Sequence, residues 1–190
     1  MMLYDPLTYD NLMAGLVVHF EKQPKELLSG ASGIEGPGVY ALYYSGAHSA
    51  YELIANGETP IYVGKAVPPG SRKGDAVDVE APALQRRLNE HTKSIEQAAN
   101  LKVDDFWCRR LAIQPVWITL AERFLIDRFR PVWNVCLDGF GDHDSGRGRL
   151  NSERSWWDTL HPGRAWASKL QAVKTQAGAE ERLRAFWETV

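Results

Sequence analysis

Two short apolar runs set the pattern of the chain: Gly-Val-Tyr-Ala-Leu-Tyr-Tyr at 38–44 and Pro-Ile-Tyr-Val-Gly-Lys at 60–65. Both are rich in Val, Ile and Tyr, which fit a pleated, half-buried surface. Glycines and polar residues bound them, so they are expected to be two strands of one hairpin. The segment between them, 45–59, is too long for a tight turn and reads as an insertion at the hairpin tip. In strands, Val39 and Tyr40 face opposite ways, as do Tyr62 and Val63. One face can then pack on a core while Tyr40 and Tyr62 stand together on the other.

Around the hairpin the apolar period changes to that of helices. Residues 6–22 carry Leu12, Leu16, Val17 and Phe20 on one stripe, and 23–37 read as loop. Residues 66–80 are a Pro/Gly-rich excursion. A helix is expected from Pro82, a residue favoured in a first turn, to about Ala99, burying Leu84, Leu88 and Ile95. Arg87 and His91, four apart, share one of its faces. Residues 105–113 read as a third strand, and about 116–129 as a mostly apolar helix that holds Glu122 and stops at Pro131. Val-Trp-Asn-Val follows, then the glycine-rich 139–149, then Arg-Ser-Trp-Trp-Asp-Thr-Leu-His-Pro-Gly-Arg at 154–164. The end reads as helix from about Ala165, broken near Gly178. No internal repeat is visible.

A length of 190 residues suggests a single domain, 1–190, with a core of about 36–136 and an extension of about 137–190. No window is apolar enough to span a bilayer, and the start lacks the plan of a signal peptide. Cys108 and Cys136 sit in apolar or aromatic settings and read as buried thiols, not as a disulfide or a zinc site. A cytoplasmic protein is the expectation. Net charge is −2, which argues against a generic nucleic-acid binder. The charge is uneven: five basic and ten acidic residues in 1–80, six and four in 81–110. A focused basic cleft fits that distribution; a broad basic surface does not.

Several polar residues on regular elements call for an explanation. Tyr40 and Tyr62 are either cross-strand packing or, with Lys65 close by, phenols whose pKa a cation lowers, suited to accepting a proton. Arg87 and His91 are either a solvated face or a site. Glu122, among apolar neighbours, needs a cation: an arginine (Arg123, Arg87 or Arg109) or a metal, since magnesium is commonly held by one carboxylate with waters and phosphate oxygens. Asn134 follows a helix-stopping proline.

In order, Gly38-Val39-Tyr40, Tyr62-Val63-Gly64-Lys65, Arg87-x-x-x-His91, Glu122 and Asn134 resemble the GIY-YIG nuclease superfamily, over roughly residues 36–136. Val stands where the family name has Ile in both tripeptides. The long gap between the tyrosines and the tail at 139–164 resemble its type II restriction endonuclease branch, and within it the enzymes that cut CCGCGG. The resemblance implies an α/β (α+β) core, a small three-stranded, mainly antiparallel sheet flanked by helices. It also implies Mg²⁺-dependent hydrolysis of DNA phosphodiesters. Carried over, Tyr40 is the general base or orients the attacking water, and Tyr62 hydrogen-bonds the phosphate or nucleophile. Lys65 assists electrostatically, Arg87 stabilises the phosphate charge, and His91 relays a proton or orients Tyr40. Glu122 is the sole protein metal ligand, and Asn134 braces the site.

Base reading then falls to the tail. Arginine bidentate to guanine is the commonest specific contact, which makes Arg147, Arg149, Arg154 and Arg164, with His143 and Asn151, candidates on a flexible, glycine-rich frame; a merely solvated loop is the alternative. A palindromic site implies a homodimer on double-stranded DNA, and a host carrying such an enzyme needs a cognate DNA methyltransferase. The N-terminal helix and the insertions at 45–59 and 66–80 are candidates for dimer contacts or for wrapping DNA. Competing readings are a homing or repair nuclease with the same core, for which few residues remain after Asn134, a non-catalytic DNA-binding module, and an interaction domain.

Overall fold

A strand apolar at successive positions has to be covered on both faces. The computed structural model, which describes residues 8–33, 35–68, 80–142 and 152–190, contains such a strand. All seven residues of β2 (Gly38–Tyr44) are buried. It pairs antiparallel with β3 (Tyr62–Ala66) on one side and with β4 (Phe106–Ala112) on the other. The hairpin and the third strand therefore form as the apolar runs predict. A fourth strand joins them: β1 (Glu26–Leu27) pairs with the outer edge of β4, giving the order β1-β4-β2-β3. Residues 23–37 read as loop because two residues carry no period. The strand is held by its partner, and Glu26 accepts an ion-pair hydrogen bond from Arg110 at 2.6 Å.

Alternation along β2 divides the core in two. Val39, Ala41 and Tyr43 face α1 (Tyr9–Glu21) and α3 (Pro115–Phe129), packing with Val17, Phe20, Ile118, Ala121 and Leu125. Tyr40, Leu42 and Tyr44 face the other way. They pack with Leu84, Leu88 and Ile95 of α2 (Ala83–Gln97), and with α4 (Val132–Val135), α5 (Trp156–Leu160) and α6 (Gln176–Trp187) through Trp133, Trp157 and Leu183. Side chains as fully buried as Leu84, Leu88 and Ile95 each contribute about 1.5–3 kcal/mol.

Three expectations shift. The buried stripe of α1 is Met13, Val17 and Phe20, while Leu12 is 38% exposed. The insertion at the hairpin tip folds inward, with Tyr51 fully buried against Trp133. The last helix starts at Gln176, not near Ala165. Gly178 does not break it but donates its N–H to the capping side chain of Thr175. Helix-compatible composition before Thr175 forms only a short 3₁₀ turn, and Arg154 takes that stretch into tertiary hydrogen bonds, its guanidinium on the carbonyls of Ala167 and Ser168 and its backbone N–H on that of Gln171. Most of the 66–80 excursion lies outside the described residues. Among the described residues no helix is long and apolar enough to cross a membrane. Both cysteines are buried free thiols, as their settings suggest.

Candidate active site

The cross-strand register sets Tyr40 opposite Gly64, and the absence of a side chain at 64 is what admits the phenol. A Cβ there would lie 2.4 Å from Tyr40 Oη and 2.9 Å from Tyr62 Cε1. The two rings settle 6.3 Å apart. Across them, α2 presents Arg87 and His91 on one face, as their spacing requires. Tyr40 Oη lies 2.5 Å from His91 Nε2. Arg87 reaches toward both phenols, and its two terminal nitrogens also donate to Glu90 Oε2 at 2.9 Å and to the carbonyl of Gly141 at 3.0 Å. Tyr40 Oη and His91 Nε2 share one proton between them, carried by the phenol when Nε2 is the bare nitrogen of the ring and by the ring when it is not.

Neither tyrosine stands on an open face. Tyr40 is fully buried and Tyr62 only 9% exposed. Burial therefore dominates their ionisation. It raises Tyr40 well above the usual phenol value, with Tyr62 raising it further and Arg87 acting against the rise. It raises Tyr62 as well, again with Arg87 opposing. The expected lowering of a phenol pKa by Lys65 does not occur. Alternation along β3 turns Lys65 to the face opposite Tyr62, where its ammonium pairs with Glu122 at 2.7 Å. Glu122 thus has its cation, but it is a lysine. Arg123, Arg87 and Arg109 are engaged with Asp127, Glu90 and Glu58 instead.

The open edge of β3 is closed by a side chain. Asn134 Oδ1 accepts from the Val63 N–H and its Nδ2 donates to the Val63 carbonyl, both at 2.8 Å. One amide completes both ladder bonds of the residue between Tyr62 and Gly64, and so holds the strand on which Tyr62 stands.

A magnesium ion needs only one or two carboxylates from a protein, and Glu122 is a fit of that kind. Its side chain is 21% exposed, and it acts electrostatically on both phenols. Among the described residues no group of three or more His, Cys, Asp or Glu converges as a closed cage. The donor set suits a hydrated hard cation shared with a phosphate.

The expected tail residues fare differently. His143, Arg147, Arg149 and Asn151 lie outside the described residues. Arg154 is half-buried and donates to the carbonyls of Ala167 and Ser168. Arg164 presents no donor to a base in this structure. It is 2% exposed, and all five of its N–H groups are used inside the protein, two of them on Asp158 at 2.7 Å. Within 139–142, expected as part of a flexible frame, Phe140 is packed: it is 1% exposed and stacks on His91 with ring centroids 4.5 Å apart. Phe140 and Asp158 were not legible as parts of the site. A carboxylate among apolar neighbours needs a cation, and Asp158, with Trp157 and Leu160 beside it, takes Arg164 as Glu122 takes Lys65.

Two motif tyrosines on one face of a small antiparallel sheet, with a helical Arg and His across them and a carboxylate on the following helix, define a GIY-YIG nuclease domain. Residues 32–185 match the family described as the Eco29kI GIY-YIG domain, most of the chain's length, and the chain belongs to that family. It is a nuclease of the restriction-associated kind, and so a hydrolase that binds DNA. No curated protein matches the chain.

Proposed function

We propose that the protein is a type II restriction endonuclease that hydrolyses both strands of DNA with Mg²⁺, acting as a homodimer on a palindromic G/C-rich site, CCGCGG. The observation that carries the catalytic part is the buried contact of Tyr40 with His91 beside Arg87 and Tyr62. A phenol raised well above its usual pKa does not stand ready as a phenolate. It acts as a base only by passing its own proton on while it receives another. Here the water proton moves to Tyr40 Oη as the Tyr40 proton moves to His91 Nε2, and the hydroxide attacks phosphorus in line. Arg87 neutralises the non-bridging oxygens with a rigid fork, and Tyr62 hydrogen-bonds the phosphate or the nucleophile. Lys65 holds the Glu122 carboxylate and adds positive charge near it. Asn134 keeps β3, and with it Tyr62, in place. Glu122 would hold Mg²⁺, which when bound supplies charge at the phosphate and the leaving 3′ oxygen. Base contacts from Arg147, Arg149, Arg154, His143 and Asn151 remain part of the proposal, and Arg164 does not.

The test is cleavage of a plasmid with one CCGCGG site, with Mg²⁺ and with EDTA, wild type beside Glu122→Gln. One discrete Mg²⁺-dependent cut is expected. The variant should lose about 10²–10³-fold in rate while still binding DNA, the scale for removing one preorganised charge. Discrete cutting elsewhere would discard the recognition sequence. A folded protein that binds DNA but cuts none would discard the enzyme.

A further inference from the structure

Outside the residues of the family motif, one buried cluster is built as tightly as the site itself. The guanidinium of Arg164 forms a two-pronged pair with Asp158, Nε to Oδ1 and Nη2 to Oδ2, each 2.7 Å. Its other three N–H groups go to backbone carbonyls: Gly139 at 2.7 Å, Phe140 at 3.1 Å and Asp142 at 3.1 Å. The indoles of Trp157 and Trp166 lie 4.6 and 4.7 Å from it. A single side chain thus pins the loop 139–142 at three points. That loop lies against the site. Phe140 stacks nearly flat on His91, at 16°, and meets Tyr62 edge-on at 4.9 Å. The Gly141 carbonyl accepts from Arg87 Nη2, and Gly141 lies so close that a Cβ would be 2.8 Å from Tyr62 Oη and 3.2 Å from Arg87 Nη2.

We propose that Arg164 and Phe140 are positioning residues. The Arg164–Asp158 pair holds the loop so that Phe140 fixes the plane of His91 and the Gly141 carbonyl fixes the fork of Arg87. Two physical points support this. A buried ion pair is a weak device for stability, because apolar groups of the same volume do as well, whereas the planar guanidinium sets the directions of its partners. Hydrogen bonds set the directions of an imidazole's nitrogens, and a flat stack adds a direct hold on the plane of the ring. What His91 and Arg87 then do rests on the nuclease reading; how they are held does not.

The experiment compares Phe140→Leu and Arg164→Lys with Leu183→Ala. Leu183 is a buried tail residue of the same core cluster and controls for destabilisation alone. Each folded variant is read in two ways: by single-site plasmid cleavage with kcat and KM separated, and by nitrogen-15 NMR signals of the His91 ring and the Arg87 side chain. Phe140→Leu and Arg164→Lys should lower kcat about 10- to 100-fold with KM nearly unchanged, the scale of an ångström misplacement. They should also move both sets of signals, while Leu183→Ala does neither. If Phe140→Leu and Arg164→Lys fold and leave kcat and the signals at wild-type values, the proposal fails. It fails too if Leu183→Ala lowers kcat as much. If wild type cuts no DNA but the signals move only in the two loop variants, the positioning holds and the nuclease reading falls.

Discussion

Gly64→Ala puts a single methyl where the structure has no room for one. The new Cβ would meet Tyr40 Oη at 2.4 Å and Cζ at 2.6 Å, whereas ordinary contact begins at 3.4 Å, so the phenol oxygen must retreat by 3.4 − 2.4 = 1.0 Å. Backbone cannot give way easily, because Gly64 is paired in the ladder with Tyr40 itself and Asn134 holds Val63 beside it. Overpacking of this kind costs about 1–3 kcal/mol. The displaced Oη also loses its 2.5 Å contact with His91 Nε2, and an unsatisfied buried hydroxyl adds about 1–3 kcal/mol. The expected loss is about 2–5 kcal/mol in urea denaturation, and a further fall in kcat of about 10²-fold in the fraction that stays folded. Gly15→Ala is the control. Gly15 lies in α1 with nothing within 4 Å of the added carbon, so it should gain about 0.5–1 kcal/mol. The steric argument is refuted if Gly64→Ala unfolds at the wild-type urea concentration and cleaves at the wild-type rate.

Asn134→Ala leaves both Val63 backbone groups without their side-chain partner. It should cost about 2–4 kcal/mol in denaturation; Asn134→Asp, which turns an oxygen on the Val63 carbonyl, should recover little of it, and a loss under 1 kcal/mol would show that the amide is dispensable. His161 gives a dependence on pH. Trp133 donates to Tyr51 Oη, Tyr51 to His161 Nε2, and His161 Nδ1–H to Asn100 Oδ1, so the ring is neutral in the fold, and burial lowers its pKa from 6.5 to about 3. The folded value lies below the unfolded one, so this stabilisation is complete above pH 6.5 and drains away as pH falls toward 3, by about 1.4 kcal/mol per unit. Urea midpoints between pH 4.5 and 7 should fall more steeply in wild type than in His161→Gln; parallel curves would remove His161 from the account.

The chain carries its local rules openly. Alternation and β-branched composition at 38–44 and 60–65 specify the hairpin, and the three- and four-residue spacings around Leu84, Leu88 and Ile95 specify α2 with Arg87 and His91 on one face. The glycines beside the tyrosines, with the order of the five motif blocks, mark the family. All of these are short-range: they depend on residues within a turn or a strand, where period and sterics act directly. Tertiary structure decided what distance in the chain conceals. Whether Tyr40 and Tyr62 sit on an open or a closed face depends on the tail packing 100 residues later, and that packing raised phenols that a nearby cation was expected to lower. Lys65 takes Glu122, and Arg164 takes Asp158 and three carbonyls, because charges choose partners by proximity after folding. Composition records that a buried carboxylate needs a cation. Only the packed chain determines which one reaches it.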